Sequence, residues 1–268
     1  MAFLRKSGAG AEGEVLKEKK KLTPAEEAWD LAKTVVFAVA IALVLRIVVF
    51  QPFNIPSGSM KPNLLVGDFL FVSKPSYGYS RASLVWPLTR LPIEGRILAS
   101  APSRGDVVVF KNRKDHNKDY IKRVIGLPGD EIRVVSGHLH INGEPVRKEF
   151  VGVRQAVRHG VAIEIPIYRE TLDNGVSYIV EELSGDQGGL DNTEAYFVPP
   201  GHYFMMGDTR DDGQDSRVLD YVGYVPADDI VGRAERLFFS VNGEKARLWE
   251  VWKWPFAIRY GRILQPVE

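Results

Sequence analysis

Two residues of this chain, a serine and a lysine, stand in sequence contexts that could support nucleophilic catalysis. Ser59 lies in the turn-forming stretch 54–62, Asn-Ile-Pro-Ser-Gly-Ser-Met-Lys-Pro, which follows the only membrane-length apolar run. A serine hydroxyl is a poor nucleophile at neutral pH and needs a base. Because Phe50 ends the apolar run, at most about 30 Å of extended chain separates that run from Ser59. If the run lies in a membrane, Ser59 can act on a membrane-bound substrate.

Lys122 is the candidate base. It stands in the apolar stretch 120–125, Tyr-Ile-Lys-Arg-Val-Ile, which predicts a strand whose successive side chains face opposite sides. If Lys122 faces the interior, burial lowers the pKa of its amine. A drop of about three units leaves it mostly neutral at pH 7.5 and able to accept the Ser59 proton. Taken alone, the strand favours the simpler alternative, a surface lysine whose amine reaches the solvent.

The histidines and cysteines offer no competing site. Among the five histidines, His138 and His140 alternate along a predicted strand and would share a face. This is a weak zinc signal, because no third ligand is near. The chain contains no cysteine, which excludes a thiol nucleophile and a disulfide framework. We therefore expect neither a metal ion nor another cofactor.

A third motif, 207–217, interleaves acidic and basic residues. A calcium loop with Gly213 as its turn glycine would put Arg210 at a ligand position and a leucine where the bidentate glutamate belongs, so calcium binding is not expected. The alternation instead suits buried ion pairs that brace a site. Asp215 and Arg217 would lie on the same face of an extended segment.

The soluble part of the chain has the pattern of β-strands, and helical periodicity is absent outside the apolar run. Alternating or β-branched stretches predict the strands, and Gly/Pro-rich and Asn-Gly stretches predict the turns. The predicted strands are 106–110, 120–125, 131–135, 138–141, 163–168, 177–182 and 203–206. The fold class is therefore mainly β, arranged as twisted sheets or a partly open barrel.

The apolar run, residues 34–50, is the candidate membrane anchor. As a helix it spans about 25 Å, which is adequate for a bilayer core of about 30 Å. Its one charged residue, Arg46, lies near the distal end and can reach the interface. The basic residues before the run favour a cytoplasmic N-terminus, with the rest of the chain outside. A cleaved secretory signal is the alternative, but no Ala-x-Ala site follows the run.

The overall composition limits the partners. A net charge of +1 argues against a nucleic-acid partner. Two aromatic clusters, near Trp86 and in 249–254, fit either core packing or a membrane interface. The expected non-protein partner is therefore the lipid bilayer.

In this order after a membrane anchor, the motifs resemble those of type I signal peptidase, the bacterial leader peptidase. The matching stretches are 53–60, 104–110, 119–130 and 207–217, and the similarity extends from the anchor to about residue 240. The resemblance implies a serine endopeptidase that removes N-terminal signal peptides from exported preproteins. It also favours the interior orientation of Lys122 over the surface orientation.

The resemblance implies a role for each matching residue. Ser59 would be the nucleophile and Lys122 the general base, while the Ser57 hydroxyl and the Ser59 N–H would form the oxyanion hole. Shallow apolar pockets for small side chains at substrate positions −1 and −3 would be lined by Phe53, Ile55, Pro56, Met60, Tyr120 and Ile121. The site would be braced by Asp208, Arg210, Asp215, Ser216 and Arg217.

The resemblance also implies an organisation of the chain. The expected parts are a cytoplasmic basic segment (1–33), a transmembrane anchor (34–50), a β-rich catalytic core in two parts (51–132 and 201–250), an inserted smaller β domain (133–200) and an aromatic and basic tail (251–268). The expected location is the bacterial inner (plasma) membrane, crossed once, with the catalytic domain on the outer, periplasmic side.

One residue departs from the family pattern. The family commonly has a serine where this chain has Gly213, and that hydroxyl helps to orient the lysine amine. A water molecule, a backbone carbonyl or Ser216 would have to replace it here.

Two other interpretations remain. A Ser/Lys autoprotease of the repressor type would lack a membrane anchor. A membrane-tethered protein that binds or assembles envelope proteins without enzymatic activity would leave Ser59, Lys122 and 207–217 as coincidence.

Overall fold

The computed structural model describes residues 23–84, 88–90, 92, 94–158, 161–185, 188–211, 214–243 and 250–267. The chain divides into two compact units, residues 1–43 and 44–268. All the strands of the described residues lie in the second unit. The candidate catalytic residues belong to that unit as well.

A long helix, α1 (Pro24–Val48), precedes the strands. A capping box sets its start, because Thr23 N–H donates to a Glu26 carboxylate oxygen at 2.7 Å and Glu26 N–H donates to Thr23 Oγ1 at 3.3 Å. The helix therefore begins before the predicted 34–50 segment, and it ends before Phe50, which belongs to the first strand. Its length and composition would allow it to cross a membrane, and none of its residues is buried in protein.

The main sheet has seven antiparallel strands. They follow the order β1 (Phe50–Asn54), β2 (Asp68–Ser73), β16 (Ile230–Ser240), β5 (Val107–Asn112), β6 (Lys118–Gly126), β14 (His202–Met206) and β15 (Val225–Pro226). Every strand pair in this sheet is antiparallel. Strands from both ends of the chain thus form one sheet.

Three smaller sheets complete the fold. One contains β10 (Arg147–Arg158), β11 (Val161–Thr171) and β12 (Ser177–Glu181), and a second contains β13 (Tyr196–Phe197), β7 (Glu131–Val135), β8 (His138–Ile141) and β9 (Glu144–Pro145). The third pairs β3 (Tyr79–Ser80) with β4 (Arg96–Ile97). The short helix α2 (Trp254–Ala257) lies near the C-terminus. The separate domain expected over 133–200 stays a prediction.

Strands β5 and β6 are covered on both faces. Val107 and Val109 pack in a core that includes Ile55 and Met60, and Ile121 packs against it. On the opposite face lies a second core, which contains Val108, Phe110, Val124 and Met205. In the middle of these strands, side chains on both faces of the sheet are therefore buried, including the charged ones.

The mainly β class is confirmed, and each of the seven predicted strands overlaps an observed one. Strands β2 and β16 were not predicted, although they are neighbours inside the main sheet. In β16 the pairing register shifts between Ala234 and Arg236 and again between Leu237 and Phe239. Such bulges interrupt the two-residue alternation from which a strand is predicted.

Candidate active site

The segment that carries Ser59 continues directly from β1. Ile55 extends the pairing with β2, since its N–H donates to Asp68 O at 2.8 Å and its carbonyl accepts from Gly67 N–H at 3.0 Å. The chain then leaves the sheet through a turn in which Lys61 N–H donates to Gly58 O at 3.0 Å. Ser59 is only 8% exposed. A sheet strand therefore fixes the start of the segment that carries Ser59.

Gly207 lies close to both Ser59 and Lys122. Lys122 lies in the middle of β6 and is 2% exposed, so the interior orientation is the observed one. A Cβ atom added to Gly207 would lie 2.6 Å from the backbone carbonyl oxygen of Ser59 and 3.4 Å from Lys122 Nζ. These two atoms are therefore no farther apart than the sum of those distances. Because Gly207 has no side chain, the carbonyl oxygen of Ser59 and the amine of Lys122 can both lie next to it.

Thr209 holds the backbone around Ser59. Its N–H donates to Ser59 O at 3.1 Å, and its hydroxyl donates to Gly58 O at 2.8 Å and to Lys61 O at 3.2 Å. Three carbonyl groups of one turn are thus fixed by one residue, which lies two positions after Gly207. The motif 207–217 therefore contacts the segment that carries Ser59 directly.

Two donors lie where an oxyanion could bind. The hydroxyl oxygens of Ser57 and Ser59 are 3.5 Å apart, and Ser57 is exposed. Among the described residues, Ser59 N–H has no hydrogen-bond acceptor. A carbonyl oxygen that approaches Ser59 can therefore meet a free backbone donor.

Asp215 and Arg217 form the ion pair expected from the motif. Arg217 Nε donates to Asp215 Oδ1 at 3.0 Å, Arg217 Nη2 donates to Oδ2 at 2.8 Å, and Gly207 N–H donates to Oδ2 at 3.1 Å. Burial alone would raise the pKa of this carboxyl. The charge and hydrogen bonds of Arg217, together with the charge of Lys122, hold the pKa below its usual range. Asp215 thus stays ionised and connects the glycine to Lys122 electrostatically.

Ser216 is fully buried and fastens the motif to β14. Its hydroxyl accepts from Met205 N–H at 2.8 Å, and its own N–H donates to Met205 O at 2.9 Å. This double contact fixes the backbone immediately after Asp215. The observed role of Ser216 is therefore to hold the position of the motif.

Asp208 forms a second buried ion pair, with Arg123. Arg123 Nε and Nη2 donate to the two carboxylate oxygens, each at 2.8 Å, in a bidentate arrangement. The two side chains are 0% and 1% exposed. Asn63 Nδ2 also donates to Asp208 at 2.7 Å. The pair therefore connects three parts of the site: the residue after Lys122, the residue after Gly207, and the turn after Ser59.

Arg210 forms a third buried pair, with Glu170 of β11. Arg210 Nη1 donates to Glu170 Oε1 at 2.6 Å, and Nη2 donates to the other carboxylate oxygen. The Tyr178 hydroxyl also donates to Glu170, at 2.8 Å. The Arg123 guanidinium lies 4.1 Å from the centre of the Tyr178 ring. Residues from the smaller β10–β12 sheet thus support the motif.

Four of the expected substrate-binding side chains share one apolar core. Ile55 and Met60 are buried in it, and Phe53 and Ile121 pack against it. Pro56 is exposed. Tyr120 packs instead against the core on the opposite face of the sheet. Its hydroxyl contacts Tyr221 at 2.6 Å and donates to Asp115 at 3.0 Å, so its side chain is not brought together with the other four.

Several residues of the site were not identified from the sequence. They are Asn63, Arg123, Glu170, Tyr178, Gly207 as a contact point, and Thr209. Gly207 and Thr209 lie within a motif that was identified, and Arg123 is the neighbour of Lys122. The others come from distant segments that no local pattern connects with the motif.

Some sequence predictions concern other parts of the chain. Gly213, Trp86 and Trp249 lie outside the described residues. Trp252 is exposed and Trp254 is partly buried. His138 is exposed and His140 is partly buried on β8, and the described residues contain no cluster of three potential metal ligands.

Comparisons with known proteins give a consistent family. The profile of the family described as signal peptidase, peptidase S26, matches residues 28–239. A protein named Signal peptidase I from Rickettsia conorii is 39% identical over 212 residues, which cover 77% of this chain and 77% of the relative. The protein of that name from Rickettsia typhi is 40% identical and covers 77% and 78%. A crystal structure of a signal peptidase I from Enterococcus faecalis V583 is 22% identical, with a TM-score of 0.29, over 50% of this chain and 97% of the other.

Proposed function

The chain belongs to the signal peptidase family, whose function is the removal of signal peptides, and we propose that Ser59 and Lys122 carry out this reaction as a nucleophile and its general base. The observation that carries the proposal is the position of Gly207, which faces Ser59 O and Lys122 Nζ at once. A membrane-tethered binding protein without activity would not need a buried lysine at a buried serine. The family membership also favours the enzyme over that alternative.

The proposed reaction has two steps. The Ser59 hydroxyl attacks the carbonyl carbon of the scissile peptide bond, while neutral Lys122 takes the hydroxyl proton. The bond to the leaving amine breaks, and the Lys122 ammonium returns the proton to that amine, which is the new N-terminus of the mature protein. Lys122 then takes a proton from the water molecule that attacks the ester of Ser59. The bond between the acyl carbon and Ser59 Oγ breaks, the Lys122 ammonium returns the proton to Oγ, and the signal peptide leaves with a new C-terminal carboxylate.

The free Ser59 N–H and the Ser57 hydroxyl would stabilise the oxyanion of both steps. Donors that are fixed at the position of a developing charge contribute about 2.7–4 kcal/mol each in other proteases. The hydrogen bonds from Thr209 keep the turn around Ser59 rigid. This rigidity supports a preorganised oxyanion hole, because the donor does not need to reorient when charge develops.

The pockets for the substrate would be apolar and small. The shared core of Phe53, Ile55, Met60 and Ile121 supports this assignment. Because most of these side chains already pack against one another, they leave room for small substrate residues only. We expect the substrate to bind as an extended strand beside Ile55 and Ile121.

The proposed location is the bacterial inner membrane. The length and apolar composition of α1 and the basic residues before it support a single crossing with a cytoplasmic N-terminus. The catalytic unit would then lie on the periplasmic side, where exported preproteins emerge. Protease added to one side of intact vesicles tests this topology, since only the exposed unit is digested.

The activity is tested with the purified full-length chain and a radiolabelled preprotein. We expect cleavage after a small residue, identified by sequencing the N-terminus of the product, and no cleavage by Ser59→Ala. Thr23→Ala is a matched control, because it removes a hydroxyl of the helix cap, which belongs to the other compact unit. Equal cleavage by the wild type and Ser59→Ala would refute the nucleophile.

A further inference from the structure

The C-terminal end of α1 is held by a turn that follows β2. The last carbonyl groups of a helix have no donors within the helix. Here the carbonyls of residues 46–49 all accept hydrogen bonds from two residues, Lys74 of the turn and Tyr79 of β3. Lys74 Nζ donates to Arg46 O at 3.4 Å and to Ile47 O at 3.2 Å. The Tyr79 hydroxyl donates to Val48 O at 2.7 Å, and Lys74 N–H donates to Val49 O at 3.1 Å.

Lys74 is an unusual residue for this position. It is 0% exposed, and burial together with the positive charge of Arg46 lowers the pKa of its amine to about 8. A buried cation is unfavourable unless polar groups surround it. The two carbonyls and the negative end of the helix dipole provide that surrounding. Because an apolar side chain could fill the same space without this penalty, the contact with the helix end is the specific role of the lysine.

The contact lies where the helix leads into the strand of the active site. Residues 44–48, the last turn of α1, belong to the same compact unit as the strands. Phe50, the first residue of β1, is the pairing partner of Ser73, which precedes Lys74. From Phe50, β1 runs to Asn54, and the chain continues through Ile55 to Ser59. Lys74 therefore fixes the backbone immediately before the strand that leads to the nucleophile.

We propose that Lys74 is a positioning residue for substrates that are inserted in the membrane. By holding the last turn of α1 against the start of β1, it keeps Ser59 at a fixed place relative to a cleavage site that the bilayer presents. A short soluble peptide reaches Ser59 by diffusion and does not depend on this contact. The proposal rests on the proposed function of the chain.

The experiment compares two substrates of the full-length enzyme in lipid vesicles. One is a preprotein inserted in the same vesicles, and the other is a soluble peptide that contains the cleavage site without the apolar segment of the signal. Lys74→Met removes the side-chain amine that donates to Arg46 O and Ile47 O at nearly constant volume and leaves the backbone N–H of residue 74 in place, and Tyr79→Phe removes the hydroxyl donor alone. Lys111→Met is the matched control, because this lysine pairs with Asp119 on the neighbouring strands and is 32% exposed.

We expect Lys74→Met to lower kcat/KM about tenfold for the inserted preprotein and less than twofold for the peptide. Tenfold corresponds to about 1.4 kcal/mol, which is the range of one hydrogen bond. Tyr79→Phe should also lower kcat/KM more for the inserted preprotein than for the peptide, but by a smaller factor. Lys111→Met should show no difference between the two substrates.

Equal losses on both substrates would overturn the proposal and leave Lys74 a purely structural helix cap. Unchanged rates on both substrates would overturn it as well. If Lys74→Met does not fold, Tyr79→Phe decides, and the proposal fails unless that variant separates the two substrates. If the wild type cleaves neither substrate, the proposed function fails, which is a distinct outcome.

Discussion

Replacing Gly207 by alanine should lower the rate of catalysis and also the stability of the fold. The added methyl carbon would lie 2.6 Å from Ser59 O and 3.4 Å from Lys122 Nζ. The backbone of this glycine is not in the left-handed region, so alanine introduces a contact and no conformational strain. The substitution therefore displaces the backbone carbonyl of Ser59, the residue of the proposed nucleophile, and crowds the amine of Lys122, the proposed base.

The size of the effect follows from the contact. Ordinary van der Waals contact is about 3.3–3.5 Å, so Ser59 O and the methyl group must separate by roughly 0.5–1 Å. The oxygen accepts from Thr209 N–H, and the turn cannot yield without disturbing that hydrogen bond. A displacement of about 1 Å at reacting groups costs about a hundredfold in rate. Overpacking of this kind costs about 1–3 kcal/mol in unfolding free energy.

The assay is single-turnover cleavage of a preprotein at saturating enzyme, with the Tm of each variant measured in parallel. We expect Gly207→Ala to lower the single-turnover cleavage rate about a hundredfold. Gly261→Ala is the matched control, since its new methyl group meets no atom within 4 Å. A Gly207→Ala rate within threefold of the wild-type rate would refute the reasoning that this glycine controls the approach of Ser59 and Lys122.

The other predictions concern the charged groups of the site. The cleavage rate should rise with pH as the Lys122 amine loses its proton, because only the neutral amine can accept the Ser59 proton, and a rate that does not change with pH would contradict the lysine base. Asp208→Ala should lower the unfolding free energy by about 3–5 kcal/mol in urea denaturation, because it removes the bidentate carboxylate partner of the buried Arg123. The pKa of Asp215 is lower in the folded protein than its usual value of 3.8. Its contribution to the unfolding free energy should therefore be complete above pH 3.8 and be lost as the pH falls through the lower pKa of the folded protein. Asp215→Asn should remove this part of the acid unfolding curve, and an unchanged curve would contradict the assignment.

The sequence predicted the strands whose side chains alternate regularly. The stretches 131–135 and 138–141 coincide with β7 and β8, because each has one buried and one exposed face. Strand β16 was missed because its bulges displace the alternation. The start of α1 was missed because the apolar run begins well after the capping box at Thr23 and Glu26.

The site was predicted as far as its residues lie in local motifs. The two-residue period of a strand correctly separates Lys122 from Arg123, but it cannot tell that both faces of β6 are interior. Both cations are buried because a core covers each face of the sheet. The partner of Arg210, Glu170, lies forty residues away in an adjacent sheet. Pairings of this kind depend on the packing of sheets, which local composition does not encode.

The central claim is that Ser59 and Lys122 act as one unit, and a double-mutant comparison tests it most directly. Single-turnover cleavage of a preprotein is measured for the wild type, Ser59→Ala, Lys122→Ala and the double variant, with Tm as the control for folding. We predict that each single variant loses cleavage almost completely and that the double variant is no worse than either, because groups of one catalytic unit are not additive. Substantial cleavage by Lys122→Ala, or a double variant whose loss is the product of the two single losses, would contradict the account.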